Sequence, residues 1–117
     1  MRKIGRERAE HYVWKERCDG WHLVKRDDLS VIAEKMPPRT AEDMHRHLRS
    51  RQFFYMLSGQ GVMRLAGGEE TLLPGEEIEI APGEPHQMTN PSEGEIEFLV
   101  ISMPKAHGDR ELCTPAE

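Results

Sequence analysis

Proline and glycine interrupt this chain so often that no long helix can run through it. Ten glycines and eight prolines fall within 117 residues, most of them from Pro37 onward, and an interior helical proline alone costs about 3 kcal/mol. Between the breaks lie short stretches rich in β-branched and aromatic side chains: "WHLVK", "LSVIAEKM", "FFYML", "GVMRL", "EIEIA" and "EIEFLVIS". The "EIEIA" stretch alternates apolar and charged residues as a half-buried strand does. "LAGGEE" supplies two adjacent glycines for a tight hairpin, and the aspartates of "KRDDLS" suit an earlier turn. Short strands with turn residues between them predict an all-β sandwich or barrel. Helix is weakly supported: "RKIGRERAEHYVWKER" is broken by Gly5 and has sparse apolar positions.

The formal net charge of −5 and the absence of a basic cluster argue against a general binder of nucleic acid or anionic membranes. The first residues lack the apolar core of a signal peptide, and no run approaches the ~20 apolar residues of a membrane span. The chain therefore reads as a soluble cytoplasmic protein. Cys18 and Cys113 are read as free thiols. Residues 1–20 read as an N-terminal arm, 21–104 as one β domain and 105–117 as a polar tail. A lone arm beside a small β domain suits the covering of a sheet edge in a second copy, so a homodimer is expected.

The chemistry-bearing residues begin at "MHRHLRSRQFFYMLSGQG". On a strand, residues two apart share a face, so His45 and His47 project together while Met44, Arg46 and Leu48 face away. Further on, "GEEIEIAPGEPHQMTN" holds a Pro82–Gly83 turn and places Pro85 before His86, which fixes where His86 projects. His86, Met88 and Asn90 then share one face of the next strand. Stepping by twos from Gln52 puts Phe54 and Met56 inward.

Both segments resemble the motifs of the cupin family. "HRHLRSRQFFYMLSG" is similar to the first, G-x5-H-x-H-x3,4-E-x6-G, and "GEEIEIAPGEPHQMTN" to the second, G-x5-P-x-G-x2-H-x3-N. The resemblance covers residues 35–103. It implies a jelly-roll barrel whose facing strands hold one divalent metal ion, with His45, His47 and His86 matching the histidine ligands. Gly59, Gly75, Gly83 and Asn90 match structural positions. Three departures stand out: Ala81 replaces a proline, Thr40 stands at the first motif's opening glycine, and Gln52 occupies the glutamate position.

An amide in place of a carboxylate leaves a divalent ion less neutralised, hence a stronger Lewis acid. Gln52 either binds the ion through its carbonyl oxygen or orients a water or substrate beside it. The ligand types suit zinc, iron, nickel or manganese. The expected function is a metal-binding cupin acting on, or binding, a small oxygenated metabolite, with Phe54, Met56 and Met88 facing it. As an enzyme it would be an isomerase, lyase or dioxygenase, the last with three histidine ligands. The alternative is a non-catalytic sensor or storage module.

Overall fold

The alternating stretches become strands. The computed structural model describes residues 1–15 and 17–114. Among them are β1 (Glu10–Trp14), β2 (Cys18–Lys25), β3 (Ser30–Met36), β4 (Thr40–Ala41), β5 (His45–Arg46), β6 (Arg51–Ser58), β7 (Gly61–Leu65), β8 (Gly68–Leu72), β9 (Glu77–Ile80), β10 (His86–Asn90), β11 (Ile96–Met103) and β12 (Glu111–Leu112). No helix occurs among the described residues, and so none long and apolar enough to cross a membrane.

The strands form two antiparallel sheets, one ordered β1-β2-β3-β11-β6-β9 and the other β12-β5-β10-β7-β8, with β4 also paired to β10. Residues 1–20 contribute β1 and the opening of β2 to the first sheet. Within 105–117, β12 pairs with β5 in the second sheet, while Pro115, Ala116 and Glu117 lie outside the described residues. Cys18 and Cys113 are both free thiols.

Each strand's inward set follows its two-residue period. On β11 these are Ile96, Phe98 and Val100, and on β6 Gln52, Phe54 and Met56, all buried. Met36, Met56, Met63 and Met88 are fully buried in the core with Phe98, Ile80 and Ile96. Unbranched, flexible thioethers adapt readily to the gaps left by bulkier neighbours. The core fills one end of the sandwich. Toward the other end, where β1 to β3 extend the first sheet, the sheets part around a cavity of about 860 Å³.

A buried asparagine closes the packed end. The Asn90 Nδ2 donates to the carbonyls of Met36 and Pro37, both at 3.0 Å, and of Gly94 at 2.8 Å, while its Oδ1 accepts from the Ser92 N–H and hydroxyl. One side chain thus ties the end of β3, the end of β10 and the turn into β11 together. Gly59, between β6 and β7, has φ +80° and lies where a Cβ would meet the Glu95 carbonyl at 2.6 Å. Only glycine fits both conditions.

The entry to the first motif corrects the expectation at Thr40. Six residues before His45, the motif's own spacing, is Arg39, and Arg39 has φ 58°. The chain keeps the left-handed turn but not the glycine, while Thr40 opens β4 and bonds the Pro37 carbonyl at 2.8 Å.

Two stability outcomes follow. Asn90→Ala removes the three donations to main-chain carbonyls and the acceptor for Ser92, and is expected to cost about 3 kcal/mol, read as a lower urea midpoint. Arg39→Gly relieves the left-handed strain and should raise stability by about 0.5–1 kcal/mol, because the exposed Arg39–Glu93 ion pair it sacrifices contributes little.

Candidate metal centre

The second sheet brings three imidazoles together. His45 and His86 are direct cross-strand partners on β5 and β10, and His47 follows β5. Their ring centroids are 4.4 Å (His45–His86), 4.9 Å (His45–His47) and 5.7 Å (His47–His86) apart. One nitrogen from each lies within 4.8 Å of the others. All three are buried, His86 completely. The rigid turn before β10 docks on the first motif through the Gly83 N–H, which donates to the His47 carbonyl at 2.7 Å.

Every ring is held the same way. The Nδ1 of His45 meets the Asp43 carbonyl at 2.7 Å, that of His47 the Asp109 carbonyl at 2.5 Å, and that of His86 the Glu84 carbonyl at 3.0 Å. A carbonyl only accepts, so each Nδ1 carries the hydrogen and each Nε2 keeps a free lone pair. Burial leaves the Nε2 of His86 without any partner. An unpaired buried acceptor is costly unless something electron-poor meets it. Gln52 presents a second such atom: its Nε2 donates to Ser102 Oγ at 3.0 Å, while its buried Oε1 has no partner. Gln52 lines the same cavity as His45 and His47. Three convergent imidazole nitrogens and a neighbouring amide oxygen fit a divalent transition metal.

Protonation does not compete near neutral pH. Burial, with His86 alongside, lowers His45 to about 3, and burial lowers His86 to about 4. His47 moves in the same direction for the same reason.

Asp109 was not legible in the sequence, where it sits in a polar run. Its carboxylate accepts the N–H groups of Leu48, Arg49 and Ser50, each at 2.9 Å, while its carbonyl holds His47. Burial works to raise the carboxyl, but those three N–H groups outweigh it and keep Asp109 below the ordinary carboxylate range.

The cavity wall also carries groups that sequence reasoning did not select: Tyr12 on β1, Glu34 on β3, Glu42 before β5, and Arg110. Burial raises Glu34 to about 7 against an opposing hydrogen bond from Tyr12, and raises Glu42 to about 8 against one from the Met88 N–H. Glu42 bonds that N–H at 2.8 Å. Arg110 makes no ion pair among the described residues. His22 and His107 line the cavity too, whereas His11 is occupied with Asp19 at 2.7 Å. Of the residues expected to face a substrate, Phe54 lines the cavity, with its ring 5.7 Å from His86. Met56 and Met88 lie in the closed core instead.

Comparison with known proteins places these features in a family. The profile described as "Cupin domain" matches residues 33–102. An uncharacterized protein of Methanocaldococcus jannaschii is 30% identical over 83 residues, covering 69% of this chain and 66% of that protein. The oxalate-binding protein of Thermotoga maritima is 28% identical over 85 residues, covering 68% of this chain and 70% of that protein. The chain thus spans about two thirds of the length of these relatives. Among solved structures, the polyketide cyclase RemF from Streptomyces resistomycificus superposes with a TM-score of 0.85 at 20% identity, covering 100% of this chain and 88% of that one.

The titrating groups set a stability optimum for the metal-free protein. The histidines, lowered from 6.5, leave the unfolded state binding more protons below that pH, so stability falls as pH drops from 6.5 toward 3. Glu34 and Glu42, raised from 4.5, do the reverse, so stability falls as pH rises from 4.5 toward 8. Thermal melts of metal-free protein should therefore peak between pH 4.5 and 6.5. Glu34→Gln should flatten the alkaline side.

Proposed function

Because the chain belongs to the cupin family, we propose that it is a metal-dependent member that binds a small oxygenated metabolite beside His45, His47 and His86. One observation carries the reading: all three rings give Nδ1 to main-chain carbonyls, which turns three Nε2 lone pairs toward one point. Such carbonyl contacts orient metal-binding imidazoles and raise their basicity. When bound, a divalent ion there supplies Lewis acidity, drawing electron density from a ligand oxygen.

Gln52 sets the strength of that effect. Three neutral imidazoles with a glutamate leave a site charge of +1, whereas with Gln52 the charge stays +2. Gln52 itself contributes either its Oε1 to the ion or a polar contact to the ligand, while its Nε2 donates to Ser102 Oγ. Arg110 adds a cation to the same wall. A bound divalent ion together with Arg110 would favour an anionic ligand such as a carboxylate, which would supply the charge that Gln52 withholds. Phe54, Ile32 and Val100 keep the space between partly apolar.

A second reading, binding without turnover, draws support from the relative named as oxalate-binding. The two separate on whether a ligand is recovered unchanged.

Elemental analysis of protein purified without a histidine tag should find one divalent ion per chain. His47→Ala and His86→Ala should each lose it while keeping a β-type circular dichroism spectrum; full occupancy in both variants would sink the assignment. Gln52→Glu should tighten zinc binding by roughly tenfold or more, since a carboxylate replaces a neutral amide. Oxalate added to the zinc-loaded protein in a calorimeter should bind, and Arg110→Ala should weaken it.

A further inference from the structure

Tyr12, Gly20 and Glu34 lie in one cross-strand row, Tyr12 opposite Gly20 on β1 and β2, and Gly20 opposite Glu34 on β2 and β3. A Cβ on Gly20 would sit 2.3 Å from Tyr12 Cζ and 2.5 Å from its hydroxyl oxygen. The phenol therefore lies directly over the glycine, and its O–H reaches across to Glu34 Oε2 at 3.1 Å. Glycine weakens a strand, and within one it marks a close approach. Here the approach delivers a hydroxyl to a carboxyl on the cavity wall. Tyr12 is the only hydrogen-bond partner of Glu34 among the described residues, so Oε1 has no partner on a side chain that lines the cavity.

We propose that Glu34 is the acid–base residue of this cavity, and that Tyr12, laid across Gly20, is the positioning residue that aims it at an enolisable carbonyl compound bound beside the histidines. The inference rests on the metal reading above and adds the reaction class to it. Neither thiol lies in the cavity wall, so the lining offers no cysteine nucleophile. It does offer a carboxyl set apart from the histidines. The step that these groups perform is proton transfer next to a carbonyl. Glu34 Oε1 takes a proton from the carbon beside the C=O. That C–H pair becomes the new C=C bond, and the C=O pair moves onto the oxygen. Return of the proton to a different atom completes a tautomerisation with no oxidant consumed.

The titratable and charged groups lining this cavity with Glu34 include Tyr12 on β1, His22 on β2, Glu42 before β5, His45, His47 and Arg110. Cys18 on β2 lies behind the wall, its thiol raised by burial and by the nearby Glu34 charge. The Tyr12 hydrogen bond opposes the upward push of burial on Glu34. Removing the hydroxyl should therefore move the carboxyl further up.

The test follows deuterium uptake by pyruvate, acetylacetone and dihydroxyacetone in D₂O with zinc-loaded protein, read by proton NMR, with zinc content measured on every sample. Wild type should accelerate exchange of at least one probe, and Glu34→Gln, which keeps the Tyr12 contact, should lose about 100-fold or more of that rate. Tyr12→Phe should retain exchange with its pH midpoint moved upward. The carbon-13 carboxyl signal of Glu34 in metal-free Tyr12→Phe should titrate higher than in wild type. No acceleration of any probe, or a zinc-replete Glu34→Gln as fast as wild type, overturns the proposal alone. A wild-type protein that holds no zinc overturns the metal reading and this one with it.

Discussion

Three main-chain carbonyls, those of Asp43, Glu84 and Asp109, fix the tautomer of the three histidines, and the candidate centre depends on them. A ring that lost its carbonyl could turn, or carry its hydrogen on the wrong nitrogen, and no longer present a lone pair inward. Each carbonyl is in turn held by a different device. The one near His86 sits in a proline-locked turn whose Gly83 N–H is tied to His47, and Glu84 bonds the Ala81 N–H at 3.0 Å through its own carboxylate. Asp43 precedes β5 and pairs with Lys15 at 2.9 Å. Asp109 fastens three consecutive N–H groups of the loop after His47. The sheets bring the rings close, but these short-range bonds make them usable.

The electrostatic design is correspondingly sparing. Burial keeps the imidazoles neutral and holds Glu34 and Glu42 near the point where a carboxyl changes charge. The wall therefore carries less fixed negative charge than its glutamates suggest. Arg110 then faces fewer permanent counter-charges. Because the protein supplies no carboxylate at Gln52, the ligand's own charge carries more weight in deciding what is held.

The strands were legible because strand periodicity is local. "GVMRL" corresponds to β7, and "EIEIA" loses only its last residue at β9. The histidine set was legible because the family motifs keep fixed spacings, and a two-residue step correctly brought Gln52 and Phe54 inward. The same step placed Met56 and Met88 on the right face but gave no measure of depth along the barrel, so it could not separate cavity from core. Asp109, Tyr12 and Arg110 were invisible for a different reason: their roles depend on cross-strand register and on a contact 62 residues away in sequence. Glu34 left one faint signal, a carboxylate in step with Ser30, Ile32 and Met36 on the inward side of β3. The left-handed turn at Arg39 had no compositional signal, since the residue that usually reports it is missing.

The clasp between Asp109 and the loop after His47 also has a consequence in time. A chain still on the ribosome carries both first-motif histidines, and then His86, well before residue 109 emerges. Until that residue arrives, the loop at 48–50 has three unanchored N–H groups and the His47 ring has no carbonyl to set it. A partly made chain therefore offers loosely held imidazoles rather than a fixed set. The three-imidazole arrangement is complete only when nearly all of the described chain is present.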